Sequence, residues 1–479
     1  MVPQDAVAVS APGKVLLAGG YLVLDRVYTG LVFGLDARIH VVVQPIRTTS
    51  GVVLNEIEVT SPQFQDAVWE YGYRLEERGG GMSVTQLRVD ADLNLNRNAF
   101  LETSLVYALS YIAAVSSPMI TPASVTILAD NDYYSTPSGL QNGDSSSKPH
   151  TNGSSTPTES RFQNFGVQLR QAHKTGLGSS AALVTAFTAA VLSYYLPKDL
   201  FDLSSETSRR RLHNLAQAAH CAAQGKVGSG FDVASAVYGS CLYRRFSPAI
   251  LSNAPDPGTE GFGVMLRGLV DETGVEMAKG SAWDTEIHRD AIKVPTGLRL
   301  VMCDVSCGSQ TPGMVKEVLA WRKTNPEEAE QIWRDLHAAN EELALEMKTL
   351  AESQSQEKSG LERLRQCFSR IRQGIRLMSE KSGVPIEPPS QTELLDACEA
   401  VGGVVGGVVP GAGGYDAISL LIEDKEEVVV ELGRLLEGWK SKSEAGAVEG
   451  GGKVSMLGVR EEMEGVRMEG WKEYEAWLS

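Results

Sequence analysis

Near the middle of the chain, Lys174-Thr-Gly-Leu-Gly-Ser-Ser-Ala-Ala182 runs straight into an apolar stretch with helical spacing. Gly176 and Gly178 let the backbone turn in ways closed to other residues and approach a ligand closely. Ser179 and Ser180 then stand at the helix start, where unpaired N–H groups and the helix dipole favour an anion. Ala181 and Ala182 are small enough for the helix to pack tightly behind a bound group, and a hydroxyl in this place can also hold Mg²⁺ beside phosphates. The chemistry on offer is phosphate binding. A Ser-capped helix after a flexible loop satisfies the same letters, so this segment alone leaves both readings open.

Three further segments carry polar groups at marked places. In Ala11-Pro-Gly-Lys-Val-Leu-Leu-Ala-Gly-Gly-Tyr21, Lys14 follows a Pro-Gly turn and precedes an apolar strand, which would fix its ammonium near a sheet edge; a lone lysine in a turn is otherwise a solvated charge. In Gly228-Ser-Gly-Phe-Asp232, the glycines precede a small-residue helix. Asp232 then falls in the first turn, as a simple cap or as a carboxylate aimed at a substrate hydroxyl, a metal or a lysine. Pro410-Gly-Ala-Gly-Gly-Tyr-Asp416 joins a helix to a strand, and a C-cap glycine turn accounts for it equally well when taken singly. The P-loop pattern G-x-x-x-x-G-K-[ST] is absent. Gly176, Gly178 and Ala181 satisfy a loose dinucleotide fingerprint with Asp199 near the acidic position, but Asp199 lacks the buried strand that should present it.

The elements that must position these groups follow from periodicity. Alternating apolar runs with Gly and Pro from Val7 to about Val43 predict strands joined by tight loops. Helices are predicted over 99–115, from Ser180 to Tyr195, over 206–224, and from Thr311, with Pro312 at the first helical position, to Lys323. FGVQL (165–169) and GLRLVMCDV (297–305) read as strands, and 326–381 as a charged helical elaboration. The tail reads helix (391–400), glycine turn, strand (416–422), helix (424–438), loose loop and final strand (453–458), which suits helices on an antiparallel sheet. Residues 135–161, rich in Ser, Thr, Gly, Asn and Pro, cannot bury enough apolar area to offset their ordering entropy and read as a disordered insertion.

At 479 residues the chain can hold two or three domains. Lys plus Arg number 44 against 60 Asp plus Glu, a net charge of −16, which argues against nucleic acid or an anionic membrane as partner. Six scattered cysteines include one close pair, Cys303 and Cys307, with no histidine cluster near it, so reduced thiols are expected in place of a zinc site. The N-terminal residues lack a signal-peptide pattern, and no apolar run is expected to span a bilayer. A cytoplasmic location is the expectation.

Taken together and in this order, the four segments resemble the GHMP kinase superfamily (galactokinase, homoserine kinase, mevalonate kinase and phosphomevalonate kinase) over roughly residues 7 to 458. Gly19-Gly20-Tyr21 stands where mevalonate kinases carry Gly-Glu-His. Lys174-Thr175, Gly228-Ser-Gly-Phe-Asp232, Gly413-Gly-Tyr-Asp416 and Gly308-Ser-Gln-Thr311 resemble the wording of the phosphomevalonate kinase branch, with Tyr415 departing from the all-glycine form common elsewhere. The resemblance implies an α+β, two-lobed fold. Its N-terminal lobe (1–240) is of the ribosomal-protein-S5 type and its C-terminal lobe (241–479) a ferredoxin-like sandwich. It implies transfer of a phosphoryl group from ATP, with Mg²⁺, to (R)-5-phosphomevalonate; a mevalonate kinase or a non-catalytic ligand sensor on the same fold are the alternatives. Lys174, Gly176, Leu177, Gly178, Ser179, Ser180 and Ala181 would cradle the nucleotide, with Ser180 at the metal. Lys14 and Asp232 would be catalytic. Lys14, Ser229, Gly230, Asp232, Ser309, Gln310, Thr311, Gly413 and Gly414 would face the acceptor, with Lys174 and Lys226 as further candidates for its phosphate. His213 and His220, on one helix face, are expected to be structural.

Overall fold

The structure, a computed structural model, describes residues 5–46, 55–87, 97–116, 120–135, 161–252, 256–273, 283–305, 311–353, 358–439 and 454–478. The expected insertion therefore lies almost wholly outside the described residues, as do Ser309 and Gln310.

The first half is built from β1 (Val7–Ala18), β2 (Gly30–Pro45), β3 (Glu56–Thr60), β4 (Val68–Leu75), β5 (Met82–Gln86), α1 (Ala99–Ser116), β6 (Ala123–Ala129) and the short β7 (Tyr134–Ser135). It continues with β8 (His173–Lys174), α2 (Ser179–Tyr195), α3 (Glu206–Gln224), α4 (Phe231–Tyr238), β9 (Cys241–Arg244), α5 (Ala249–Ser252), α6 (Phe262–Asp271) and β10 (Glu286–His288). The rest comprises β11 (Leu298–Val305), α7 (Thr311–Thr324), α8 (Pro326–Ser353), α9 (Lys358–Ser382), α10 (Pro389–Glu399), β12 (Val404–Val408), β13 (Ala417–Glu423), α11 (Glu426–Glu437), β14 (Val454–Met456), β15 (Glu461–Glu462) and β16 (Arg467–Glu469).

The larger sheet runs β10-β9-β2-β6-β3-β4-β5, with β1 and β15 also paired to β2 and β16 paired to β1. All these pairings are antiparallel except β3 on β6. One face of it carries the small-residue helix α2, which packs against β1 and β2 as well as α1, α3 and α4. Ala181, Ala182, Ala186, Ala189 and Ala190 are all fully buried there, so close helix–sheet approach is what those alanines provide. The smaller sheet, β12-β13-β11-β14, is antiparallel. Its apolar cluster joins Val301, Cys303, Ile418, Leu420 and Ile422 to Leu394 and Leu395 of α10 and Leu432 and Leu436 of α11. Helices on antiparallel sheets are the α+β arrangement expected.

Several local expectations need amending. Pro12-Gly13 is no turn before a strand: both lie inside the twelve-residue β1, where the register against β2 shifts between them. The two extra residues, Asp36 and Ala37, belong to β2, so the bulge lies on β2 and β1 runs unbroken through Lys14. FGVQL forms no strand; Phe165 instead stacks on Phe64, and Gln168 makes a single bridge to Gln65. Residues 326–381 divide into two long helices, α8 and α9. Finally, α1 is long and apolar enough to qualify as a membrane span by length and composition. Its Leu101, Leu105, Leu109 and Ile112 are buried and it packs against α2, α3 and α6, so it is a core helix. The five described cysteines are all free and buried.

Candidate active site

Lys14 leaves β1 directly under the glycine loop. Its backbone N–H donates to the Leu177 carbonyl at 2.9 Å, and its Nζ donates to the Gly176 carbonyl at 3.3 Å. The loop thus lies across the lysine stem. Gly178 is needed for that contact: its φ is +82°, and a Cβ there would stand 2.7 Å from Lys14 Cε. Gly178 is also the left-handed residue that opens α2, so Ser179 and Ser180 occupy the first turn, with its unpaired N–H groups. The Nζ stands 5.8 Å from the Phe231 ring centre, next to Asp232. Desolvation holds the Lys14 ammonium below the usual lysine range, and the charge of Asp232 acts in the opposite direction. Lys14 and Asp232, far apart in sequence, are therefore electrostatic partners.

Asp232 sits in the first turn of α4, whose opening residue Gly230 has φ +85°. A Cβ at Gly230 would fall 2.7 Å from Gln217 Oε1 and 2.8 Å from Tyr243 Oη, so a side chain has no room. One carboxylate oxygen, Oδ1, accepts the Val233 N–H at 3.0 Å. The other, Oδ2, faces His220 Nε2 at 3.9 Å, and the same ring nitrogen lies 3.2 Å from Ser180 Oγ. A chain of groups therefore runs from the serine of the phosphate-type loop, through His220, to Asp232 and on to Lys14. The turn before Asp232 is held by its backbone: Tyr243 Oη donates to the Ser229 carbonyl at 2.7 Å and Arg245 Nη2 to the Gly228 carbonyl at 2.8 Å.

His220, Tyr243 and Arg245 are the members that sequence reasoning missed. The helix face that His220 shares with His213 suggests a structural role, whereas its ring faces both Ser180 and Asp232. Tyr243 and Arg245, in and just after β9, carry no motif; only the fold brings them under the turn.

The fourth segment meets the first one beyond Lys14. Gly411 N–H donates to the Leu16 carbonyl at 3.0 Å, and Tyr21, itself at φ +64°, donates its hydroxyl to the Ala412 carbonyl at 2.7 Å. Gly413 lies against Ile386, whose carbonyl accepts the Gly414 N–H. These two glycines are thus tied to the Lys14–Asp232 cluster indirectly, through Gly411 and Ala412. Asp416 and Asp304, at facing strand ends of the smaller sheet, come within electrostatic reach of each other, and His173, beside Lys174, lies within reach of Asp304. Burial raises the Asp304 carboxyl, Asp416 adds to the rise and His173 opposes it. Lys174 itself pairs with Tyr134 in the two-stranded β7–β8 ladder, and Lys226 is exposed two residues past the end of α3. Thr311 opens α7, whose Met314, Val318 and Trp321 pack on Tyr21, Leu22 and Tyr28.

Among the described residues no group of three or more His, Cys, Asp or Glu side chains could hold a metal on its own. A resident ion with an all-protein ligand set does not fit. An ion that arrives with phosphate oxygens and takes one or two protein oxygens does, because Mg²⁺ keeps water and substrate oxygens in its shell. Ser180 Oγ and the half-buried Asp232 carboxylate are oxygens of that kind.

Residues 161–240 match the family described as GHMP kinases N terminal domain, and residues 358–438 match GHMP kinases C terminal. The chain is 52% identical to a phosphomevalonate kinase of Gibberella zeae, over 99% of both chains. It is 49% identical to one of Aspergillus fumigatus, over 100% of this chain and 99% of that one. A peroxisomal phosphomevalonate kinase of Arabidopsis thaliana is 33% identical over 97% of this chain and 96% of its own length. Among solved structures, the phosphomevalonate kinase of Streptococcus pneumoniae in complex with phosphomevalonate and AMPPNP superposes with a TM-score of 0.56 at 16% identity. That match covers 89% of this chain and 94% of that one. At such identity it speaks for the fold alone.

Proposed function

The chain belongs to the phosphomevalonate kinase family of GHMP kinases, and from that premise we propose that it transfers the γ-phosphoryl group of ATP to (R)-5-phosphomevalonate. An oxygen of the acceptor's 5-phosphate forms the new bond to the γ-phosphorus, the β,γ-bridging bond breaks, and (R)-5-diphosphomevalonate and ADP leave. The observation that carries this reading is the meeting of Lys14, the 176–180 loop and Asp232 in one place. Phosphoryl transfer through a loose transition state asks for positioning and charge neutralisation more than for a strong base, and these groups supply both.

In this reading the first-turn N–H groups of α2 and the 176–180 backbone hold the nucleotide phosphates, and the Lys14 ammonium neutralises charge between the γ-phosphate and the acceptor. Asp232 orients the acceptor. One of its oxygens is committed to the Val233 N–H, so orientation suits it better than proton abstraction. Mg²⁺ bound with ATP would take Ser180 Oγ and would supply charge neutralisation at the phosphates. The Ser229–Gly230 turn, the Ser309–Thr311 loop and Gly413–Gly414 would border the acceptor. The lobe division proposed is 1–240 and 241–479, with β9, β10 and the closing strands β15 and β16 lent back to the first sheet. A cytoplasmic location belongs to the proposal as well; because the Arabidopsis relative is peroxisomal, imaging the chain in cells is its check.

The test is an assay coupled to ADP release, with ATP, Mg²⁺ and (R)-5-phosphomevalonate. Turnover with that acceptor is the expected result. Turnover with mevalonate or homoserine alone would overturn the substrate assignment, and no turnover with any acceptor, alongside tight ATP binding, would favour a sensor.

A further inference from the structure

We propose that His220 is a positioning residue: its Nε2 takes the Ser180 hydroxyl proton in a hydrogen bond and so turns the lone pairs of Oγ toward the phosphate side of the loop. The inference rests on the kinase reading above, but its geometry is its own. The ring is 2% exposed and lies tilted by 30° against Phe100, with centres 5.6 Å apart, so it has little freedom to swing. Its Nε2 stands 3.2 Å from Ser180 Oγ and 3.4 Å from Gln224 Nε2, one helical turn further along α3. Both neighbours can donate: a hydroxyl carries one proton and an amide nitrogen two. A nitrogen flanked by two donors is best satisfied as an acceptor, which places the ring proton on Nδ1.

The consequence for Ser180 follows from its small inventory. A hydroxyl that ligates a cation or lies among phosphates must present a lone pair and send its proton elsewhere. In the first turn of α2 the orphan groups are N–H donors, so they cannot take that proton. His220 can. The same nitrogen is 3.9 Å from Asp232 Oδ2, beyond hydrogen-bond distance, so the ring does not clamp the carboxylate; it walls one side of it and leaves Oδ2 directed at the site. His220 touches no reacting atom and acts through Ser180.

Four variants and one spectrum test this. His220→Phe keeps the ring shape and removes the acceptor, whereas His220→Gln returns a polar atom at about the reach of Nε2. His220→Phe is expected to lower kcat about 30-fold and to raise the Mg²⁺ concentration needed for half-activation, with KM for the acceptor changed less than about threefold; removing the acceptor of a buried hydroxyl proton has an effect of this order. His220→Gln should recover most of kcat, and Ser180→Ala combined with His220→Phe should be no worse than Ser180→Ala alone. A kcat for His220→Phe within twofold of the parent, or equal losses for Phe and Gln, would overturn the assignment. If the variants do not fold, the unsubstituted protein decides: with seven histidines in the chain, a long-range ¹H–¹⁵N spectrum can assign the His220 tautomer. Nδ1–H is expected, and Nε2–H rules the proposal out. Because this readout needs no turnover, failure of the substrate assignment and failure of the His220 role would be told apart.

Discussion

Lys14 is a charged group in a place where its charge is costly, and its behaviour with pH follows from that. Burial lowers its pKa from the ordinary 10.5, with Asp232 opposing the fall. The ammonium is the form that neutralises phosphate, so kcat should hold through neutral pH and decline on the alkaline side before the usual lysine range is reached. Lys14→Arg, whose guanidinium does not titrate there, should abolish that decline even if it lowers the plateau; an unchanged alkaline limb would separate it from Lys14. Lys14→Met and Asp232→Asn should each lower kcat by about 10²-fold or more in the coupled assay, since a preorganised charge at the transferred group is worth roughly this much. Both residues could be picked out in the sequence, because the glycine segments around them recur together and in order, although neither placement decides anything alone. His220 could not be picked out. Its partners lie on two other helices, and a histidine on the apolar side of α3 looks the same whether it fills space or holds a serine.

At the level of elements, the two glycines of the loop separate backbone strain from crowding. Gly176 and Gly178 both have positive φ, +75° and +82°, but a Cβ at Gly176 meets nothing within 4 Å whereas one at Gly178 runs into the Lys14 stem. Gly176→Ala should therefore cost only the left-handed strain, about 1–2 kcal/mol, and retain much of kcat. Gly178→Ala should displace Lys14 and lose kcat severely at similar melting temperature. Comparable losses for the two would mean that the loop does not rest on the lysine. The helices of this region were readable to within a residue or so, because apolar periodicity and small-residue runs act over short range. The bulge opposite Pro12-Gly13 was hidden, since Pro-Gly signals a turn locally and it is the long pairing with β2 that keeps the strand going. FGVQL misled for the opposite reason: β-type letters found their apolar partners, Phe64 and Tyr134, through ring contacts instead of a ladder.

For the whole molecule, the last described residues are part of the first lobe. Buried Arg38, on β2, donates to the Gly465 carbonyl through Nη2 and to Ser10 Oγ through Nε, and Gly465 packs directly on Val237 at the end of α4. Tyr474 meets His40 Nδ1 at 2.9 Å and joins Ala8, Val42, Leu128 and Phe162 in one apolar cluster. Truncation after residue 460 should thus lower the melting temperature sharply, leaving a buried guanidinium short of acceptors, a penalty of several kcal/mol. Tyr474→Phe should cost only about 1 kcal/mol. A truncated chain as stable as the full one would show the tail to be ornamental. Charged strands of two and three residues carry no alternation to detect, which is why the sequence points to only a single closing strand. During synthesis α4, which carries Asp232, emerges from the ribosome more than two hundred residues before the segment that backs it. A nascent chain must hold its Lys14–Asp232 neighbourhood unfinished until that segment has been made, so competence for turnover should arrive late and all at once.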